Sequence, residues 1–177
     1  MGREGKINDL QQIFSTALQK EFFPVQLDAM GAQFQFHSYS DNANIYGAHL
    51  LSIPQFHQSL GGSYGFRMND DGVSLVICTD IEHPDGIDEN IVNFARGADL
   101  LVHDGQYTTE EYRKFKGWGH STWEQAVEVA KRAGVKKLVI THHDPDHTDD
   151  FLDGIERECQ QAFPDSCLAR EGMELIV

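Results

Sequence analysis

The chain has few cysteines, few positive charges and no long apolar run, and each shortage removes a class of protein. Its three cysteines, Cys78, Cys159 and Cys167, are odd in number and scattered, with no C-x-x-C spacing. That pattern argues against a disulfide framework and a zinc ribbon, and the plain expectation is a reducing, cytoplasmic location. No stretch approaches the roughly 20 consecutive apolar residues of a membrane span, and the opening "MGREGKINDL" lacks an apolar signal core, so no membrane partner is expected. Lysine and arginine number 14 against 28 acidic residues, a formal charge of -14. This balance opposes sequence-independent binding to phosphate backbones. Nucleic acid is therefore expected to be an unlikely partner, whereas a small phosphate-bearing substrate held by a metal stays compatible. Repeats, low-complexity tracts and long linkers are missing too, and 177 residues suit one domain.

What is present reads as strands first, then helices and strands in alternation. Over residues 8–20, Leu10, Ile13, Phe14, Ala17 and Leu18 share one face of a helix that starts near Asn8. "AQFQFHSY" (32–39) alternates like a half-buried strand, with "IYGAHLLSI" (45–53) as its neighbour. "SYGFRM" and "VSLVICTD" form the arms of a hairpin, and the linking "NDDG" supplies an Asp-Gly pair for a turn that needs positive φ. Helices are expected over "DENIVNFARG", ended by Gly97, and over "TTEEYRKF". A third covers "STWEQAVEVAKRAG", with a Ser121/Glu124 capping box and a terminal Gly134, and the last covers "DDFLDGIERECQQAF", capped at Asp149. "ADLLVHD" and "KKLVITH" are the intervening strands, and "CLAREGMELIV" closes as a small hairpin. The fold class is α/β with α+β character.

Three apolar strands stop at residues able to bind a divalent metal: one at Asp80, one at His103 and Asp104, one at His142 and His143. Strand ends border the crevice where α/β sheets bind ligands, so three such endings are expected to converge. Any single polar ending reads first as a wet loop; three with ligand chemistry shift the balance. In "GWGHST", His120 stands just before a helix start in a glycine-rich loop, a position that suits a proton donor. Other candidates take plainer readings. His143, Asp144, Asp146 and His147 suit a solvated loop, Trp118 and Trp123 packing beside the helix start, and His83 a turn; Arg67 pairs with a carboxylate or a phosphate.

These segments, in this order, resemble the metallo-β-lactamase-fold hydrolases, in particular their ribonuclease Z-like and phosphodiesterase-like branch. "FHQSLGGSYGFRM" is similar to the segment in which a metal-binding histidine precedes a "GYR"-type strand, and "CTD" to the "GDT"-type motif of a bridging aspartate. "ADLLVHDGQY" resembles "ADLLIHE", with Asp104 where relatives often carry Glu. "GHSTWEQAVEVAKRAGVKKLVITHHDP" follows the pattern of "HST", a helix and "LxLTH". The likeness covers nearly the whole chain. It also has a gap: the His-x-His-x-Asp-His motif of the family does not occur in residues 1–56, and neither His37 nor His49 has that spacing. The resemblance therefore implies the C-terminal part of an αβ/βα sandwich, a single incomplete domain over residues 1–177.

The resemblance further implies a metal-dependent hydrolase in which a metal-activated water attacks a phosphodiester or similar ester. His57, Asp80 and His142 would be metal ligands, with Asp80 spanning two ions, and His120, oriented by Asp104, would protonate the leaving oxygen. Zn2+ is the expected cofactor, as one or two ions, with Mn2+ or iron as alternatives. Without the upstream ligands, metal binding is expected to be weak and hydrolysis slight. Apolar runs at 74–79 and 137–141 lead to the expectation of a homodimer that covers an open sheet. Two readings compete: a non-catalytic binding or dimerising module derived from the same fold, and a ribonuclease acting on tRNA, which the acidic charge disfavours.

Overall fold

The computed structural model describes residues 2–3, 7–36, 38–39, 42–45, 47–58 and 62–177, and the chain divides into two compact units, Met1–Ala43 and Asn44–Val177. The first unit contains β1 (Gly2–Arg3), α1 (Ile7–Ala17), a 3-10 turn at Leu27–Ala29 and β2 (Ser38–Tyr39), with β1 and β2 paired in parallel. α1 lies where the apolar spacing places it, and Phe14 meets Phe36 edge-on at 5.8 Å. The alternation at 32–39 does not build the expected strand among the described residues, since 31–36 are irregular and, of those described, only Ser38–Tyr39 is extended. Alternation marks a strand only where a neighbour takes up the backbone hydrogen bonds. His37 lies outside the described residues.

A seven-stranded mixed sheet runs in chain order: β3 (Asn42–Ile45), β4 (Ala48–Gln55), β5 (Ser63–Asp70), β6 (Val73–Cys78), β7 (Leu100–Asp104), β8 (Lys137–Thr141) and β9 (Ser166–Leu168). β4, β5 and β6 are antiparallel, while β6 to β9 are parallel. Parallel neighbours need crossovers, and these carry α2 (Glu89–Ala95), α3 (Thr109–Phe115), α4 (Trp123–Ala133) and α5 (Asp149–Ala162). The β5–β6 hairpin closes as its sequence predicts, with Asp71 at φ 44° and Gly72 at φ 82°. One face of the sheet contributes Val76, Cys78, Leu101, Leu138, Ile140 and Leu168 to a core completed by residues of α2, α4 and α5. On the opposite face Phe66, Met68, Val73 and Ile77 are each more than a third exposed. β8 departs from the expectation of an exposed run at 137–141: Leu138, Val139 and Ile140 are all buried.

The caps show where local patterns were ambiguous. Thr122, not Ser121, caps α4, and its box partner is Gln125. Ser121 is committed elsewhere: its hydroxyl donates to the Ile81 carbonyl at 2.6 Å and its N–H to Asp104 at 3.1 Å. Thr148, one residue before the expected Asp149, caps α5. Arg67 meets backbone carbonyls in place of a carboxylate; its Nη1 donates to those of Phe94 and Arg96 at the end of α2, where a cation offsets the helix dipole. The closing hairpin does not form. β9 pairs in parallel with β8, residues 169–177 hold no strand, and Arg170 bonds Asp153 and Glu156 of α5 instead. Among the described residues, no helix is long and apolar enough to cross a membrane.

Gly105, directly after β7, sits in a close approach of sheet and helix. A Cβ there would lie 2.3 Å from Ile140 Cγ2 and 3.3 Å from Trp123 Cα. Gly105→Ala is expected to destabilise the fold by roughly 1–3 kcal/mol, the usual cost of overpacking. An unchanged urea midpoint would contradict this contact.

Candidate metal centre

β6, β7 and β8 lie side by side, and the residues that follow them form the site. Asp80 stands two residues beyond β6 at φ 55°, and His142 directly after β8 at φ 65°. For residues with a Cβ, this left-handed region costs about 1–2 kcal/mol, and such strain persists where surrounding contacts hold it. At Asp80 those contacts are visible. Its N–H donates to Asp104 Oδ2 at 3.1 Å, and its carbonyl accepts from Ser63 Oγ at 2.6 Å and Gln55 Nε2 at 3.4 Å. Gln55 Nε2 also donates to the Thr79 carbonyl. Asp80 Oδ1 lies 3.9 Å from His142 Nε2.

Two histidines have tautomers set by their partners. His57 Nδ1 lies 2.8 Å from the Gly119 carbonyl; a carbonyl only accepts, so Nδ1 carries the hydrogen and Nε2 keeps its lone pair. His120 Nδ1 lies 2.8 Å from Asp104 Oδ2, with the same consequence for its Nε2. Asp104 is fully buried, and its carboxylate takes four donors: Asp80 N and His120 Nδ1 on Oδ2, Gln106 N and Ser121 N on Oδ1. With those acceptor sites filled, Asp104 is suited to orienting His120 rather than to binding an ion itself. Burial lowers the His120 pKa, but the hydrogen bond and charge of Asp104, helped by Asp80 and Glu82, outweigh it and leave the imidazole above its ordinary value.

The sequence-predicted residues thus gather, with one difference in grouping. Potential ligand atoms of His57, Asp80 and His120 all lie within 4.8 Å of one another, as do those of Asp104, His120 and His142. Among the described residues, no such group holds both His57 and His142; His120 stands between them, 5.2 Å from the ring of His57 and stacked at 4.6 Å on that of His142. Imidazole nitrogens with free lone pairs around one partly exposed carboxylate fit a divalent ion of zinc-like preference.

Other candidates are occupied. His103, whose strand parity turns it into the core, is fully buried beside His83, with Nε2 atoms 3.4 Å apart; the reading of His83 as a plain turn residue therefore fails. His143 bonds the Ala169 carbonyl, His147 bonds Glu111, and Asp144 accepts from the N–H of Asp146. Trp123 is packed as expected, but Trp118 is 62% exposed, edge-on to Phe115. Sequence reasoning passed over Gln55 and Ser63, which brace Asp80, and Glu82, a buried carboxylate that binds the loop carrying His120. Nothing in their local pattern separates them from ordinary polar residues.

Comparison with known proteins identifies the family. A family model described as "Beta-lactamase superfamily domain" matches residues 17–143. Ribonuclease Z of Gemmatimonas aurantiaca is 36% identical over 104 residues, 59% of this chain and 32% of that protein. Ribonuclease Z of Brevibacillus brevis is 41% identical over 83 residues, 45% of this chain and 26% of that protein. The matched segment therefore spans about a third or less of these curated relatives. Among solved structures, the metallo-beta-lactamase fold protein YhfI from Bacillus subtilis superposes with a TM-score of 0.69 at 17% identity, over 97% of this chain and 62% of that one, a likeness of fold. The ribonuclease relatives overturn the expectation that nucleic acid is an unlikely partner. That expectation took the charge summed over the chain for the potential at the site, and the two need not share a sign where a bound cation is the largest local charge.

Proposed function

The chain belongs to the metallo-β-lactamase superfamily, and from that premise we propose that it is a metal-dependent phosphodiester hydrolase with RNA among its substrates. The observation that carries the reading is the gathering of His57, His120 and His142 about Asp80: potential ligand atoms of His57, Asp80 and His120 lie within 4.8 Å of one another, and His142 Nε2 lies 3.9 Å from Asp80 Oδ1. Zinc is the cofactor that best suits these donors, with manganese or iron as alternatives. His57, Asp80 and His142 would hold it, and a divalent ion there would supply a Lewis acid that polarises the phosphoryl group and makes water acidic enough to react at neutral pH.

The chain's own residues supply the rest. Asp104 holds His120 through Nδ1 and leaves Nε2 directed at the site. Because the Asp104 carboxylate raises the His120 pKa, Nε2 keeps its proton further into the neutral range, as donation to a leaving oxygen requires. The support for RNA is the likeness to ribonuclease Z relatives. A non-catalytic module that binds an ion without turnover is the second reading, favoured by a donor count among the described residues that suffices for one ion.

Calorimetric titration of the chain with Zn2+ tests the centre. One site per chain is expected, weakened at least tenfold by Asp80→Asn, because losing the carboxylate charge removes the strongest attraction for a dication. Two tight sites, or binding indifferent to that substitution, would overturn the assignment. Cleavage of a short RNA by the zinc-loaded chain then separates the hydrolase from the non-catalytic module.

A further inference from the structure

Glu82 is not among the candidate ligands described above, yet it is only 1% exposed, and a carboxylate that deep in the fold must be held by donors. Three donors hold it. Tyr112 Oη and Gly117 N both donate to Oε1 at 2.6 Å, and Gly119 N donates to Oε2 at 2.8 Å. Two of the three are backbone amides of one short loop, "GWG", which ends against His120. The carbonyl of Gly119 is the acceptor for His57 Nδ1 at 2.8 Å. A continuous path therefore runs from a buried charge, through one glycine, to the ring of His57.

Gly119 itself permits the contact. Its φ is +96°, and a Cβ on it would lie 2.3 Å from His57 Nδ1 and 3.0 Å from Gln58 N. The backbone can approach the imidazole this closely only without a side chain, and only while something fixes the loop. The Glu82 carboxylate grips the amides on both sides of Trp118, and so fixes it.

We infer that Glu82 is a positioning residue: by clamping the amides of Gly117 and Gly119 it presents the Gly119 carbonyl to His57, and thereby locks His57 in the Nδ1–H tautomer with Nε2 facing the site. The part of this that concerns metal affinity rests on the function proposed above, whereas the tautomer does not.

Glu82→Gln is the informative substitution. In either amide orientation, its NH2 faces Gly117 N or Gly119 N, so one loop amide loses its acceptor while the side-chain volume is kept. Tyr112→Phe is the control, because it removes a donor from the same carboxylate without touching the loop. Nitrogen-15 spectra of the histidine rings in the metal-free chain are expected to show His57 as the Nδ1–H tautomer in the unaltered protein and in Tyr112→Phe. A mixture of tautomers is expected in Glu82→Gln. Zn2+ affinity should fall at least tenfold in Glu82→Gln and stay within about threefold in Tyr112→Phe. Unchanged His57 ring signals in Glu82→Gln would overturn the proposal, as would equal effects in both variants, since Glu82 would then act through general stability alone. Absence of Zn2+ binding in all three chains would instead sink the metal reading, leaving the ring spectra to decide the role of Glu82. Gly119→Ala gives a second approach, expected to reproduce the Glu82→Gln spectra by pushing on His57 from the other side.

Discussion

Replacing Asp104 by asparagine is expected to cost the fold about 2–5 kcal/mol and to slow the proposed phosphodiester hydrolysis by roughly 10²- to 10⁴-fold. The two effects share a cause. The carboxylate accepts four hydrogen bonds in a fully buried position, and an amide offers only one acceptor atom. If the NH2 turns towards Gln106 N and Ser121 N, two buried amides lose their acceptor. If it turns the other way, it faces Asp80 N and drives His120 into the opposite tautomer, with Nδ1 accepting. In either orientation His120 no longer has a negative partner to raise its pKa, and where the amide oxygen still accepts from Nδ1, the Nε2 proton of the imidazolium is lost at lower pH. The sign follows from linkage: a histidine raised on folding adds stability below its ordinary value of 6.5, and loses it as pH rises through the raised one. Asp104→Asn should erase that contribution. Urea unfolding at pH 6 and 8, with turnover of a phosphodiester such as bis(p-nitrophenyl) phosphate, reads both effects. A variant with native stability and an unshifted His120 titration would show that the four bonds are not what holds the site.

Acid is expected to destabilise the chain well above the range where carboxylates protonate, losing about 3 kcal/mol between pH 6.5 and 4.5. The source is the buried pair His83 and His103. His103 Nδ1 lies 2.7 Å from the Asp104 carbonyl and so carries the hydrogen, leaving its Nε2 as acceptor for His83 Nε2–H. His83 Nδ1 in turn accepts from Asp88 N at 3.2 Å. Every ring nitrogen is assigned with both rings neutral, and an added proton would set two N–H groups against each other. Burial, reinforced by the neighbouring His103, lowers His83 from 6.5 to about 3, and burial lowers His103 as well. The unfolded chain therefore binds more protons below pH 6.5, and stability falls at about 1.4 kcal/mol per unit for His83 alone. His143, also lowered by burial, adds in the same direction; His120 opposes it. Unfolding midpoints measured across pH 7 to 4.5 in the presence of a chelator give the slope, and a flat profile would refute the neutral pair.

How much of this was readable in the sequence depended on whether the deciding contacts were local. The β5–β6 turn was legible because Asp71 and Gly72 carry the positive φ that the hairpin needs, and α4 because its apolar period and Gly134 are local signals. The α4 cap was not. Ser121 and Thr122 each have a suitable partner three residues on, and the choice was made by Ile81 and Asp104, which lie far away in sequence and claim Ser121. Strand ends displayed Asp80, Asp104 and His142, and the pairing of His120 with Asp104 followed from the family likeness. Glu82, Gln55 and Ser63 stayed hidden because each acts by reaching backbone groups 17 to 37 positions away. Period-two alternation could have separated His103 from Asp104, since adjacent strand residues face opposite sides and only one of the two can look outward at the site.

The hairpin turn at Asp71–Gly72 has a practical corollary. It caps the upstream end of β6, whereas Asp80 emerges from the downstream end, with a strand of six residues between them, about 20 Å of extended backbone. A fluorophore, an affinity handle or an immobilising linker grafted onto that bend would sit remote from the donor atoms, so that coordination could be followed in a tethered molecule without the tether intruding on it.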